Sequence, residues 1–184
     1  DLEQYANHRG SSYGNLGLPA QPSTEHFENL VAIAWAACAA DRPVWIEAES
    51  RRIGTCRVPD ELFQQMMQAP VLEIQRSRAD RIQLLKADYG DIDRQGLIEA
   101  TQRLKKRLGG DRVRQAIQSI EGEDANTAID LVLNYYDKTY TYDLQRRGVT
   151  IQSLEVTGCT AATVAERLMA IAPDFLAQHG ANIS

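Results

Sequence analysis

The sequence predicts an α/β protein: a small parallel sheet, then a helical region, then a strand and helix that return to the sheet. Strand-like and helix-like segments alternate up to about residue 90, an order that favours parallel strands joined by helices. From residue 91 the apolar spacing is helical, and residues 149–156 are strand-like again. We therefore expect an α/β core at 1–90, a helical region at 91–148, and a returning strand and C-terminal helix at 149–184.

The first elements follow from local signals. Leu2 lies between two carboxylates and is typical of the end of a strand, after which a polar loop begins. Ser23 is the expected N-cap of a helix whose apolar face continues as far as Cys38. The breaker sequence Asp41-Arg42-Pro43 ends that helix.

Two short apolar runs complete the predicted core. Residues 44–46 and 71–74 contain the residue types that favour buried strands. A short helix is expected after Pro59, and a longer one after Arg78 with Ile82, Leu85 and Tyr89 on one face.

The second half is predicted to be helical until its returning strand. A stripe from Leu97 to Leu108 is stopped by two glycines, and Asp111 is the expected cap of the next helix. A long helix should run from Ala125 to Arg147, before Gly148. Residues 149–156 are the expected returning strand, and residues 160–172 the last helix, stopped near Pro173.

Composition excludes several classes of protein. The net charge is −5, so a general nucleic-acid coat is not expected, although clustered arginines can still bind nucleic acid. Three cysteines without a CxxC pair argue against a disulfide framework and a zinc ribbon and fit a reducing cytoplasm. Three scattered histidines give little support for a metal site. No apolar run reaches the length of about 18 residues that would indicate a membrane span.

The donor-rich loop after Leu2 is the first candidate site. It contains His8, Arg9, Ser11 and Ser12, and loops at the ends of strands are where α/β folds bind ligands. A solvated surface loop is the alternative interpretation.

Charged residues also follow each of the two short apolar runs, and the first group comes after residues 44–46. Glu47 and Glu49 can hold a magnesium ion or orient a partner, and Arg51 and Arg52 can bind phosphate oxygens bidentately. Simple pairing of these carboxylates with these arginines remains the alternative.

The second strand is followed by three arginines, Arg76, Arg78 and Arg81. They occupy positions suited to neutralising phosphate charge, or simply begin a solvated helix. Lys105, Lys106 and Arg107 can contact an RNA backbone, but cations near a helix C-terminus also favour its dipole. Four tyrosines between 135 and 142 suit base stacking or packing between regions.

No phosphate loop of the form GxxxxGK[ST] occurs in the sequence. No nucleophile, base and orienting group can be assembled either. Chemistry alone therefore indicates a phosphate-handling α/β core with helical additions.

Several blocks nevertheless resemble, in order, those of bacterial tRNA 2-selenouridine synthases. The specific ones are NHRGSSYG at residues 7–14 and WIEAESRRIG at 45–54; the others are DLE at 1–3, FENL at 27–30, VP at 58–59, YYD at 135–137 and YTY at 140–142. Position 48 is usually acidic in that family and is Ala48 here, which shifts attention to Glu47 and Glu49.

The resemblance implies a cytoplasmic transferase that replaces sulfur by selenium in wobble 2-thiouridine of tRNA. Selenophosphate, supplied by selenophosphate synthetase, is then the selenium donor. The route passes through an S-geranylated uridine made from geranyl diphosphate. The family also has an N-terminal rhodanese-like domain with the catalytic cysteine, and a Walker A loop.

This chain would begin after both of those parts, as a partial phosphate-loop-type sheet lacking its first strand. We expect it to be inactive alone, with no catalytic residue, and to contribute diphosphate and tRNA binding. A fragment of a generic phosphate-loop kinase and a non-catalytic tRNA-binding module remain the alternatives.

Overall fold

The computed structural model describes residues 1–179, which form nine helices and four strands. In chain order the elements are α1 (Leu2–Ala6), α2 (Thr24–Ala36), β1 (Arg52–Ile53), β2 (Cys56–Arg57), α3 (Asp60–Gln68), β3 (Val71–Gln75), α4 (Arg78–Tyr89), α5 (Arg94–Arg103), α6 (Lys105–Leu108), α7 (Gly110–Glu121), α8 (Ala125–Arg147), β4 (Ile151–Glu155) and α9 (Ala161–His179). No helix in this range is both long and apolar enough to cross a membrane.

The predicted returning strand does pair with the core strand. β3 and β4 are parallel, and their register runs from Val71 opposite Ile151 to Gln75 opposite Glu155. β1 and β2 form a separate antiparallel hairpin, which turns at Gly54 with a φ of +61°. Within residues 1–179 the parallel sheet thus has two strands, and the α/β class is confirmed without a full phosphate-loop arrangement.

Two predicted strands are absent from the described residues. Residues 1–3 begin helix α1 instead, because the Asp1 carboxylate caps it by accepting a hydrogen bond from the backbone N–H of Gln4 at 2.8 Å. Residues 44–46 are irregular. A strand requires a neighbour that exchanges backbone hydrogen bonds with it, and none pairs with these residues, so Trp45 remains 48% exposed.

The helical predictions need three smaller corrections. The stripe from residue 97 to 108 is divided at Leu104 into α5 and α6. Asp111 lies in the first turn of α7, whose N-cap is Gly109. Helix α9 continues through Pro173, although a proline removes one helical hydrogen bond, and the continued helix buries Phe175 to 4% exposure.

Two apolar clusters hold the protein together. The N-terminal cluster packs α1, α2, α3 and the hairpin around fully buried Phe27 and Ile53. The helical cluster contains Leu104, Leu108 and Val113, with Tyr13 from the N-terminal loop packed against it. That loop therefore connects the two clusters.

Candidate functional site

Two concave surfaces adjoin the N-terminal loop. A crevice of about 1710 Å³ lies between that loop, residues 47–55 and the ends of α5 and α8. An apolar cavity of about 470 Å³ lies among α4, α5, α7 and α8. Ser11, Tyr136 and Tyr140 line both, so the crevice and the cavity meet at these three side chains.

The donor-rich loop is held against the helical region by hydrogen bonds. The backbone N–H of Ser12 donates to the Tyr136 hydroxyl at 2.9 Å, and the Ser12 hydroxyl donates to the carbonyl of Ala100 at 2.9 Å. Arg103 donates to the carbonyl of Ser12 at 2.8 Å. The loop is therefore a fixed wall of the crevice, not a free surface loop.

Arg9 lies on the cavity side of the loop. Its guanidinium carbon is 5.4 Å from the centre of the Tyr89 ring, and its Nη1 donates to the carbonyl of Leu16 at 3.0 Å. Stacking on the ring orients the guanidinium, which lines the cavity and is not among the residues that line the crevice.

His8 is buried in the loop and lines the crevice. Its Nδ1 is buried without a hydrogen-bond partner, and the ring fits between Gly14 and Gly54, where an added Cβ would come within 2.7 Å of it. Burial, together with the charge of Arg103, lowers the pKa of His8. The imidazole is therefore held neutral at physiological pH.

Glu3 and Glu49 form a carboxyl pair at the wall between the two surfaces. A Cβ at Gly10 would lie 2.5 Å from Glu49 Oε1 and 2.9 Å from Glu3 Oε1, so both carboxyl groups occupy the space that this glycine leaves. Burial, with a hydrogen bond to Glu49, raises the pKa of Glu3 to about 7. Burial also raises the pKa of Glu49. Near neutral pH the pair thus holds a shared proton.

Glu47 has a structural partner. Its Oε2 accepts a hydrogen bond from the backbone N–H of Leu2 at 3.1 Å, which ties the crevice segment to α1. Within residues 1–179 no group of three ligand-type side chains is arranged to hold a metal ion.

The arginines that were predicted to bind phosphate do not lie together in the structure. Arg51 and Arg52 line the crevice, but Arg51 pairs with Asp60, which Arg57 also contacts at 3.0 Å, rather than with Glu47 or Glu49. The alternative interpretation, in which Arg51 simply pairs with Glu47 or Glu49, is therefore wrong.

The arginines after β3 lie away from the crevice. Arg76 pairs with Asp80 at 2.7 Å and donates to the carbonyl of Cys159 at 3.0 Å. Arg81 contacts Asp137 of α8 at 2.5 Å. Arg78 contacts Asp137 at 3.1 Å and also pairs with Asp130 of α8. The last two arginines fasten α4 to α8, and only Arg81 reaches the cavity.

Two residues that build the crevice, Arg103 and Arg147, were not assigned to a binding site from the sequence. Arg103 and Arg147 fix the crevice walls, the latter by donating to the carbonyl of Ala48 at 2.8 Å. Lys106 and Arg107 line the crevice, whereas Lys105 does not. The cations at the ends of α6 and α8 are visible in the sequence, but only the fold shows that they line the same crevice.

The tyrosine run is distributed by helical geometry. Tyr135, Tyr136 and Tyr140 line the crevice, and the first two also pack against the helical cluster. Tyr142 is exposed and lies beneath Arg146, whose guanidinium carbon is 5.4 Å from the ring centre. The crevice thus presents both cations and aromatic rings, the combination that suits nucleic acid.

The fold and the site define an α/β domain with a cationic, tyrosine-lined crevice. Residues 1–169 match the family model described as the tRNA 2-selenouridine synthase AAA domain. The chain therefore belongs to the tRNA 2-selenouridine synthase family, as its sequence blocks predicted.

Several curated relatives carry the name tRNA 2-selenouridine synthase. The chain is 34% identical to the one from Marinobacter nauticus, over 80% of this chain and 48% of the relative. The corresponding values are 35%, 82% and 50% for Alcanivorax borkumensis, and 33%, 92% and 53% for Pseudomonas putida. The chain spans about half the length of these relatives. No solved structure matches it.

Proposed function

We propose that this chain supplies the tRNA-binding and diphosphate-binding part of a transferase that replaces sulfur by selenium in wobble 2-thiouridine. Family membership and the names of the relatives support the tRNA-modifying role. Selenophosphate is the selenium donor that this family membership implies.

The observation that carries the proposal is the concentration of positive charge in the crevice. Seven cationic side chains line it against four carboxylates, although the whole chain has a net charge of −5. The cations are Arg51, Arg52, Arg103, Lys106, Arg107, Arg146 and Arg147. Such a local excess attracts a phosphate backbone that the overall charge would repel.

The chemistry assigned to the crevice follows from its side chains. Arginines bind phosphate oxygens bidentately, and the tyrosines offer stacking surfaces for bases near the anticodon. We place the diphosphate of a geranyl donor in the same crevice, on the route through an S-geranylated uridine. Glu47 and Glu49 can join a magnesium ion only together with that diphosphate, because magnesium is usually bound by one or two carboxylates plus substrate phosphates.

The test compares neighbouring cations. Lys106→Ala and Arg107→Ala in this chain should each weaken tRNA binding and lower the slope of log affinity against log salt by about one. Lys105→Ala removes the same charge outside the crevice and serves as the matched control. Fluorescence anisotropy with labelled tRNA at several salt concentrations measures both quantities. Equal losses in Lys105→Ala would show that the crevice is not the tRNA site.

A non-catalytic tRNA-binding module would pass that binding test. An experiment on the full-length protein distinguishes such a module from part of the transferase. If the chain is part of the transferase, Arg107→Ala should lower 2-selenouridine formation in parallel with tRNA affinity. A kinase fragment would instead show no tRNA binding in the crevice.

A further inference from the structure

The end of α2 and the segment that follows it expose an apolar surface. Residues 30–40 contain no charged side chain, yet Ile33 and Trp35 of this run are 70% and 45% exposed. Val44 and Trp45, which follow the turn after α2, are exposed as well. Exposed apolar side chains that are scattered singly are normal, but several of them close together mark an interaction site.

The same segment has backbone groups without partners. The backbone N–H groups of residues 44–46 make no hydrogen bond within residues 1–179, although their composition is that of a strand. Unpaired N–H and C=O groups of a strand are a template on which another strand can pair. The segment therefore offers main-chain hydrogen bonds together with apolar side chains.

β3 offers a second free edge. The backbone N–H of Val71 donates to the carbonyl of Thr150 at 2.9 Å, and the carbonyl of Gln75 accepts from Val156 at 2.8 Å, so these positions face β4. Alternate residues of a strand direct their backbone groups to opposite edges, and residues 72 and 74 therefore face away from β4. Among residues 1–179 no strand lies on that side, and Ile74 is half exposed.

The two free edges open onto the same space. Ala48, two residues after the unpaired segment, and Leu72 of β3 both line the crevice. Its volume of about 1710 Å³ exceeds the roughly 300–1,000 Å³ typical of small-molecule sites, so a piece of polypeptide fits there. One extended strand between the edges would exchange backbone hydrogen bonds on both of its sides.

The total surface of the chain indicates how large the missing contact is. The accessible surface is 11662 Å² for a mass of 20.5 kDa, whereas a compact monomer of this mass exposes roughly 8,900 Å². The excess of roughly 2,800 Å² is well above the roughly 800 Å² that one partner buries in an ordinary stable interface. An excess of this size corresponds to a permanent contact, not to a transient encounter.

A second copy of the chain is a poor occupant of this space. The inserted strand needs both of its edges free, and β3 is already paired with β4 on one side. The segment 44–46 is only three residues long and is anchored through Glu47, which accepts a hydrogen bond from Leu2. The curated relatives, in contrast, have about as much chain again outside the region that matches, since the match covers 48% and 50% of two of them.

We propose that residues 33–46 and the outer edge of β3 form a docking surface for a β-strand from the other half of the longer protein. The strand inserts between residues 44–46 and β3 and joins them in one sheet. A strand paired on both sides in an α/β sheet is a near-continuous apolar run, so the occupant is a β-branched or aromatic segment without proline. Because residues 44–46 lead directly into Glu47, docking also fixes the segment that carries Glu49 and Arg51.

Hydrogen exchange in the full-length protein, followed residue by residue by NMR, tests the pairing. The amides of Leu72 and Ile74 have no acceptor within residues 1–179. With the strand in place they should exchange about a hundredfold or more slowly than the exposed amide of Asp41. Exchange as fast as that of Asp41 would overturn the proposal. Protection that disappears on hundredfold dilution would assign the surface to a second copy and would overturn it as well.

A charge placed on the apolar part of the surface gives an independent test. Ile33→Asp should lower the urea midpoint of the full-length protein by about 0.5 M or more, because the carboxylate would be buried without a partner. Tyr142→Asp is the matched control, since Tyr142 is an exposed apolar residue outside the surface. Equal midpoints for Ile33→Asp and Tyr142→Asp would contradict the proposal. If Ile33→Asp does not fold while Tyr142→Asp does, the milder Ile33→Ala measures the same loss.

The docking surface does not depend on the proposed function. If crevice variants leave tRNA affinity unchanged but Leu72 and Ile74 are protected, the docking surface stands and the proposed function is wrong. If tRNA binding depends on Lys106 and Arg107 but these amides exchange freely, only the docking surface is wrong.

Discussion

Replacing Glu3 by Gln should stabilise the protein at neutral and alkaline pH. The Glu3 carboxyl lies against Glu49 in the space beside Gly10, and its pKa is raised to about 7 by burial and by that neighbour. A glutamine at this position stays neutral at every pH and can still donate a hydrogen bond to the Glu49 carboxylate.

The sign follows from proton binding in the two states. Between pH 4.5, the ordinary pKa of the group, and about pH 7, the folded protein retains a proton that the unfolded chain has released. The free energy of unfolding therefore falls as pH rises through this window and levels off above it. The full shift corresponds to roughly 3 kcal/mol, which we reduce to roughly 1–2 kcal/mol because Glu3 is half-buried and screened by solvent.

Urea unfolding followed by circular dichroism at about pH 5 and about pH 8 measures the effect. Glu3→Gln and the natural chain should have similar stability at the lower pH, and the variant should be more stable at the higher one. Glu61→Gln, at an exposed carboxylate of α3, should change neither value by more than a few tenths of a kcal/mol. A natural chain that is as stable as Glu3→Gln at about pH 8 would refute the shared-proton description of the pair.

Two further substitutions test the walls of the site. Gly10→Ala should cost roughly 2–4 kcal/mol of stability, because a φ of +63° is combined with a carboxylate oxygen 2.5 Å from the new Cβ. Gly148→Ala, with a φ of +64° and open space, should cost only about 1–2 kcal/mol in the same urea titration; equal costs would remove the argument from close approach. Asp137→Ala should cost about 1–2 kcal/mol, because it leaves partly buried Arg81 without its carboxylate partner and removes one of the two partners of Arg78. Asp111→Ala, at an exposed ion pair, should cost less than about 0.5 kcal/mol, and a comparable loss there would show that the α4–α8 pairs are not special.

Local chemistry made much of the fold predictable. Ser23 caps α2 through its side chain, and Gly148 ends α8 in a left-handed conformation, both as their residue types suggest. The predictions that were wrong concern segments whose structure depends on contacts with residues far away along the chain. Residues 44–46 have strand composition but no strand beside them, and Pro173 is carried within α9, where Phe175 becomes buried.

The site was only half predictable, for the same physical reason. The sequence marked Ser12, Glu49 and Arg51, and the fold places all three at one crevice. It did not assign Arg103 or Arg147 to this crevice, because their role there comes from hydrogen bonds to carbonyls about 90 or more residues away along the chain. No local pattern encodes such partners. The apolar walls of the cavity likewise have the sequence pattern of an ordinary hydrophobic core. Periodicity shows which face of a helix is apolar, but it does not show whether other side chains pack against that face.

The parallel pairing of β3 with β4 has a kinetic consequence. All of residues 76–150, including α4 to α8, lie between these two strands, and closing a loop of that length costs on the order of 4 kcal/mol in chain entropy. The helices can collapse on one another through shorter separations, and their collapse brings the strand ends together. We therefore expect the sheet to form late in folding, as a clasp that closes only around an assembled helical unit.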